Sequence, residues 1–425
     1  MWTSVKILRS FIIVLMVIIP GNAFAGDLEL SALLDEALKN NPDILASQIK
    51  IEAAGYRIPL SKSLPDPMVM IGYQNEGLRQ YTYGKEPDAE WMFSASQEFP
   101  YPGKLALKGS MAESDKESLV AMHEFMKQKT SAKVKELYYD LFLAYKNIDL
   151  LKDKSDLFAR IEDLALARYG AGKGMQEEVL MAQTEKYMLL EKEEMFRQKI
   201  LSFEAMLRAV LGRTDSSPLG RPIEPVYQPF LFTVDEAVNI ALNNSSEIKS
   251  RNKMVEAAGY KVSMAEKEYY PDFTINTGYA NRGGGLMDMY SASVTINIPI
   301  FYKTKQEPAV KEAKSSAAQA KQELEAAKLM ITAAVQDNLS MVKSSNKLMD
   351  LYINGLIPKN TQSVESALAG YTTGGTEMIT VISLSKTLLD YKTLYWQQFM
   401  EREKAIARLE AITETPAPAS GGEEK

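Results

Sequence analysis

Hydrophobic and polar residues alternate one by one in several short stretches of the chain, and lose that alternation in the long stretches between them. Tyr290, Ala292, Val294, Ile296 and Ile298 fall on one side of such a stretch, and Ser291, Ser293, Thr295 and Asn297 on the other. Trp91, Phe93, Ala95, Gln97 and Phe99 alternate in the same way with Met92, Ser94, Ser96 and Glu98, and Phe273, Ile275, Thr277 and Tyr279 with Thr274, Asn276 and Gly278. A period of two places successive side chains on opposite faces of a strand. The pattern therefore predicts strands over residues 67–75, 90–99, 272–281 and 289–298. Each has an aromatic and aliphatic face and a face of small polar residues. A half-buried antiparallel sheet shows this alternation. So does a membrane barrel, with lipid outside and water inside. The strands alone leave both open.

The helical stretches are longer than a globular enzyme uses. From Lys104 to Arg168 there is no proline and only Gly109, with abundant Ala, Leu, Lys and Glu. At 1.5 Å per residue such a helix spans roughly 100 Å, which points to a coiled coil or another extended bundle. Gly170, Gly172 and Gly174 end it, and are expected to supply positive φ at a hairpin turn. A second helix returns over 175–211. The plan recurs with helices over 309–370 and 377–411, where Gly355 and Pro358 predict an irregularity partway along the first. Thr233 and Glu236 form a capping-box pattern that starts a short helix, and Pro42 and Pro271 mark helix boundaries in the two halves.

The recurrence is a duplication. Ala37-Leu38-Lys39-Asn40 and Glu52-Ala53-Ala54-Gly55-Tyr56 return, 204 positions on, as Ala241-Leu242-Asn243-Asn244 and Glu256-Ala257-Ala258-Gly259-Tyr260. Pro65-Asp66 matches Pro271-Asp272, Gly72-Tyr73 matches Gly278-Tyr279, and Tyr169-Gly170-Ala171-Gly172 matches Tyr371-Thr372-Thr373-Gly374. A period this long is not a solenoid repeat. It divides the chain into a first repeat over 26–213, a proline-rich linker over 214–231, a second repeat over 232–413 and a disordered tail over 414–425.

The N-terminus adds a destination. Lys6 and Arg9 precede an unbroken apolar run from Phe11 to Ile19, Pro20 and Gly21 break it, and Ala23-Phe24-Ala25 has the small-x-small form that a signal peptidase cuts. The run is shorter than the roughly 20 apolar residues of a spanning helix. Residues 1–25 are therefore read as a signal peptide, with Gly26 as the first mature residue. The sequence contains no cysteine, which excludes disulfides, cysteine metal sites, a thiol nucleophile and a lipidated cysteine. A net charge of -6 and a pI near 5.3 argue against nucleic acid as a partner. No other stretch is apolar enough for a transmembrane helix, so any membrane contact falls to the strands. Four strands cannot close a barrel, for which about eight is the practical minimum. Open edges are not tolerated in lipid, so a membrane-spanning form requires several chains to pool their strands.

Over residues 28 to 413 the chain resembles the TolC-type outer-membrane efflux family. The resemblance is carried by Leu28-Glu29-Leu30 leading into Ala37-Leu38-Lys39-Asn40-Asn41-Pro42, by Gln97-Glu98-Phe99-Pro100, by Arg168-Tyr169-Gly170-Ala171-Gly172, by Leu356-Ile357-Pro358 and by the twofold repeat. It implies a mainly α fold with a transmembrane β-barrel, built as a homotrimer in the outer membrane of a Gram-negative bacterium and continued by a helical tube across the periplasm. Trp91, Phe93, Phe99, Phe273, Tyr279, Tyr290 and Ile296 would then face outer-membrane lipid. It further implies that the hairpin turns dock a periplasmic adaptor protein, itself coupled to an inner-membrane pump. Here those turns contain Tyr169, Gly170, Gly172 and Gly174, and Tyr371, Gly374 and Gly375. Family members carry acidic residues past the second turn, lining a closed aperture. The matching positions here are Thr380 and Ser383, neither acidic, whereas Glu177 and Glu178 follow the first turn.

Other signals have plainer readings. Gly170-Ala171-Gly172-Lys173-Gly174 lacks the preceding strand and the Ser or Thr of a phosphate loop. His123, the single histidine, has no converging ligands in sequence. The 22 methionines offer soft thioethers that suit Cu(I), though methionine also fills irregular cores. The stretch from Glu98 to Lys104 resembles members paired with metal-exporting pumps. No catalytic constellation, metal site or cofactor motif is present, so an enzyme is not expected. The reading from a different class is a soluble periplasmic coiled-coil adaptor or chaperone, which shares the hairpins but needs no lipid-facing strands.

Overall fold

A computed structural model describes residues 27–415, so the expected signal peptide over 1–25 and the expected tail beyond Thr415 lie outside the described residues. Two short helices open each half: α1 (Leu30–Asn40) and α2 (Pro42–Lys62) in the first, α5 (Val234–Asn244) and α6 (Ser246–Lys267) in the second. Asn41 divides the first pair, its side chain accepting from the N–H groups of Asp43 and Ile44 while Pro42 occupies the first turn, where no N–H is needed. At the start of α5 the Thr233–Glu236 capping box is formed. Two further segments, β1 (Asp27–Leu28) and β4 (Arg221–Pro222), make a short parallel pair that ties the start of the chain to the linker. Tyr138 secures it, donating to the carbonyls of Leu28 and Ile223.

The strands are β2 (Met68–Gln74), β3 (Glu90–Phe99), β5 (Asp272–Asn281) and β6 (Met289–Asn297). They form one antiparallel sheet in the order β2-β3-β5-β6, so each half contributes a hairpin and the halves meet at β3–β5. Below the sheet run α3 (Lys104–Gly170) and α4 (Gln176–Leu211) from the first half. From the second half come α7 (Gln306–Asp350), a π-helical turn (Leu351–Leu356), α8 (Ile357–Thr373) and α9 (Met378–Thr413). The π turn is the irregularity foreseen near Gly355 and Pro358. Pro358 has no N–H for the Asn354 carbonyl, and in a regular α-helix its ring would press on that carbonyl. Widening the turn before it relieves both.

α3 is the spine, packing along α2, α4, α6 and α9, while α7 packs on α6 and α9 and α8 on α9. The apolar interior lies in these helix seams, not under the sheet. One cluster around Phe142, Leu207 and Phe399 sits where the short helices join the long ones. Another around Phe158, Ile161, Val381 and Ile382 fills the lower shaft. A third around Val335, Leu339 and Leu409 holds the second half together. Among the described residues no helix is long and apolar enough to cross a membrane.

Candidate functional site

Directly opposed residues of an antiparallel pair share a face, so the register assigns every strand side chain. Val69, Ile71 and Tyr73 lie beside Ala95, Phe93 and Trp91. Phe93 lies beside Tyr279 and Phe99 beside Phe273, and Tyr279 and Phe273 lie beside Tyr290 and Ile296. All seven of the proposed lipid-facing residues therefore occupy one face. Ring contacts stitch it across the strands: Tyr73–Trp91 at 5.1 Å, Phe93–Tyr279 at 6.2 Å, Phe99–Phe273 at 5.4 Å and Tyr279–Tyr290 at 5.1 Å. Among the described residues no element covers this face: Ile71 is 66 % and Val294 62 % exposed. The opposite face carries Ser94, Ser96, Thr274, Asn276, Ser291, Ser293 and Thr295.

The loops above the sheet are locked to each other. A Cβ on Gly284, at φ +60°, would lie 1.8 Å from the Gly84 carbonyl oxygen, so the two backbones meet at glycine. Arg282 pairs with Glu90 at 3.3 Å beneath them. At the other end of the sheet Lys104, 2 % exposed, sends its ammonium to Asp272 at 2.9 Å and Glu268 at 3.3 Å. Asp272 also accepts from the Tyr101 N–H at 2.6 Å, and Tyr101 stacks on Tyr270 at 4.5 Å. One buried cation thus fastens the start of α3 to the end of α6 and the start of β5. Sequence reasoning did not find this junction, because its partners are more than 160 positions apart.

The hairpin turns lie at the far end of the helices. Of the three glycines expected to supply positive φ in the first turn, only Gly172 does, at +69°, with open space around it. Gly170 is the last residue of α3 and Gly174 has no positive φ, which corrects the expectation. Gly174 is small for another reason: a Cβ there would come within 2.9 Å of a Glu178 carboxylate oxygen and 3.1 Å of the Arg168 Cβ. In the second turn Gly374 has φ +84° and Gly375 does not. Tyr169 and Tyr371, matched in the repeat, part company here. Tyr169 is 48 % exposed and Tyr371 only 1 %.

Tyr371 is buried because the first hairpin closes over it. Its hydroxyl donates to Glu178 at 2.8 Å, and the Arg168 guanidinium lies 4.5 Å from its ring centre and donates to its carbonyl. The second guanidinium arm reaches the Lys173 carbonyl at 3.0 Å. Burial, with Glu178 as acceptor, pushes the Tyr371 hydroxyl up to about 12. Two further contacts reinforce the joint: Lys386 of α9 pairs with Glu185 of α4 at 2.9 Å, and Lys186 of α4 with Glu162 of α3 at 2.6 Å. Of the four aperture candidates, Glu177, Thr380 and Ser383 are exposed, whereas Glu178 is half-buried in the contact with Tyr371. His123 meets the Ser47 hydroxyl at 2.7 Å on the α2–α3 seam.

The family model described as Outer membrane efflux protein matches residues 33–213 and 237–392. No curated protein matches the chain. Among solved structures, the outer membrane protein VceC from Vibrio cholerae superposes with a TM-score of 0.76 at 16 % identity, covering 92 % of this chain and 97 % of that one. A membrane protein from Pseudomonas aeruginosa gives 0.79 at 14 % identity with 92 % of each chain covered. The Campylobacter jejuni CmeC outer membrane channel gives 0.73 at 14 % identity, covering 90 % and 85 %.

Proposed function

This chain belongs to the outer membrane efflux protein family, and we propose that three copies of it pool their strands into one barrel and their helices into one tube. Family membership makes the chain an outer-membrane channel subunit of a tripartite efflux or secretion system, and favours nothing of the soluble adaptor or chaperone reading. The observation that carries the barrel is the uncovered apolar face of an open four-stranded sheet. From Trp91 to Phe99 that face runs nine residues, about 27 Å along the strand at 3.4 Å per rise and about 21 Å along the membrane normal at a barrel strand's tilt of about 40°, which is close to the roughly 25 Å apolar band of an outer-membrane barrel. Tyr73, Trp91, Tyr279 and Tyr290 gather at its loop end and Phe99 and Phe273 at its helix end, where aromatic girdles meet the two membrane surfaces. The polar face then lines water. β2 and β6 each have one free edge, and pairing each with the next chain satisfies backbone groups that lipid cannot.

Adaptor docking at the Tyr169–Met175 and Tyr371–Met378 turns belongs to the same reading. The exposed Tyr169 and the open space beside Gly172 support it. The joint of Arg168, Tyr371 and Glu178 holds the two hairpins of one chain together and so keeps the tube's end narrow. Extraction of the mature protein from membranes with detergent, followed by mass measurement and planar-bilayer recording, tests the assembly. A trimeric mass and potassium conductance are expected. A detergent-free monomer in the periplasmic fraction would overturn the reading.

A further inference from the structure

The two halves of the chain are copies down to the pairing of single residues. Pro65 and Gly72 correspond to Pro271 and Gly278, and Phe99-Pro100 to Ile298-Pro299, so β2 corresponds to β5 and β3 to β6. In the first hairpin Met70 lies opposite Ser94, Ile71 opposite Phe93 and Gly72 opposite Met92. The corresponding places in the second hold Asn276 opposite Ser293, Thr277 opposite Ala292 and Gly278 opposite Ser291. The register has been kept although four of these six side chains have changed.

The halves meet at one seam, β3–β5, where Ser94 opposes Gly278, Ala95 opposes Thr277 and Gln97 opposes Ile275. A ring of copies needs a second seam, between β6 of one chain and β2 of the next, and these strands are the counterparts of β3 and β5. We propose that the seam between copies repeats the β3–β5 seam, setting Ser293, Val294 and Ile296 opposite Gly72, Ile71 and Val69 of the next copy. It rests on the reading that copies share one barrel, and names the residue pairs which that reading leaves open.

Three observations support this register. First, it keeps both faces: the exposed aliphatic residues Val294 and Ile296 meet Ile71 and Val69, which are exposed as well. A slip of one residue would turn every side chain of one strand to the wrong face, so the rival registers are slips of two. Second, it closes a barrel. Met70 lies opposite Ser94, Ser94 opposite Gly278 and Gly278 opposite Ser291, and Ser291 then lies opposite Gln74 of the next copy. One chain thus climbs from Met70 to Gln74 across four strand spacings, about 14 Å against about 19 Å, a strand tilt of about 35°. Barrel strands tilt by about 35–45°. A slip of two gives about 20° in one sense and about 47° in the other, below and above that range. Third, Tyr101 stacks on Tyr270 at the helix end of the β3–β5 seam. Their counterparts, Ile300 and Leu64, are exposed apolar side chains in the single chain and come together when the seam is repeated.

The absence of cysteine makes the test direct. Opposed residues of an antiparallel pair have Cα atoms about 4.5–5.5 Å apart, within the span of a disulfide, whereas a slip of two leaves about 7–8 Å, beyond it. Within one chain β2 and β6 lie three strand spacings apart, about 14 Å, so every bond formed joins two copies. The full-length mature protein in detergent, as Ser293→Cys/Gly72→Cys, is oxidised with copper phenanthroline and followed on non-reducing gels. Val294→Cys/Ile71→Cys probes the same register from the opposite face and covers a failure of the first variant to fold. Both matched pairs are expected to yield covalent trimers at least about tenfold faster than the slipped pairs Ser293→Cys/Met70→Cys and Ser293→Cys/Gln74→Cys. A slipped pair that links as fast as the matched ones overturns the register. The mass of the unoxidised protein tests the shared barrel separately. A trimeric mass with no matched pair linked overturns the repeated seam and leaves the barrel standing, whereas a monomeric mass removes both.

Discussion

Tyr169 and Tyr371 occupy matching places in the two halves, yet one faces solvent and the other is sealed between Arg168 and Glu178. A duplicated sequence has thus been put to two uses at its ends. Tyr371→Phe keeps the ring against the guanidinium and removes only the hydroxyl bond to Glu178. A loss of about 1 kcal/mol is expected from that bond, with a larger mean conductance in planar bilayers as the hairpins part more readily. Unchanged conductance would show that the joint does not hold the end shut. Because the hydroxyl is pushed up to about 12, its ionisation plays no part below about pH 10.

Lys154 makes the opposite case. Burial beside Phe158 lowers its ammonium to about 8, with Asp390 opposing the shift. Its folded pKa lies below the unfolded value, so the native state sheds its proton first as pH rises. The penalty for burying the charge is complete below pH 8 and fades between there and the unfolded value of about 10.4. Lys154→Met should raise stability at pH 7 by about 1 kcal/mol, allowing for water that reaches the shaft. Thermal midpoints at pH 7 and pH 10 measure it: the gain at pH 7 should shrink at pH 10.

At the scale of elements, the two turns show how glycines of one motif differ. Gly172→Asp places a side chain in open space at a strained φ, which costs about 1 kcal/mol and disturbs only what docks there. Trimer and membrane insertion should survive while export in cells falls. Gly174→Val instead drives a side chain into Glu178 and Arg168, so it should raise conductance of the purified channel as Tyr371→Phe does. Export assays and bilayer recordings of both variants separate the two roles. Strand alternation and long proline-free runs made the helices, strands and their faces legible in the sequence, because both are periods set by the backbone. The Lys104 junction and the Arg168–Tyr371–Glu178 joint were not legible. They pair residues from different repeats, and nothing local to Lys104 or Arg168 distinguishes either from a solvated cation. The positive-φ reading of Gly170 and Gly174 failed for a similar reason: glycine marks need for a small residue, without saying whether space or φ requires it.

At the scale of the whole molecule, the proposed trimer repeats every wall residue three times. Thr380 and Ser383 are exposed hydroxyls near the turn, and Glu178 is engaged by Tyr371, so Glu177 is the one free carboxylate candidate. Three carboxylates about 5 Å from a trivalent cation would attract it by roughly 7 kcal/mol before screening in a water-like dielectric. Hydroxyl rings lack that attraction. The wild-type channel should be blocked only weakly by trivalent cations, and Thr380→Asp with Ser383→Asp should tighten the block at fixed salt. Equally tight block of both forms would move the aperture to Glu177.

The free edges of β2 and β6 also have a genetic consequence. A barrel shared among identical chains cannot be built from good copies alone when bad ones are present, because a variant altered only at the turns keeps both edges and is accepted into the ring. Expressed in equal amounts with the wild type, such a variant would leave about one trimer in eight free of it. Gly172→Asp should therefore behave as a dominant allele. A variant that cannot form its strands should be recessive, excluded from assembly by the lack of an edge to offer.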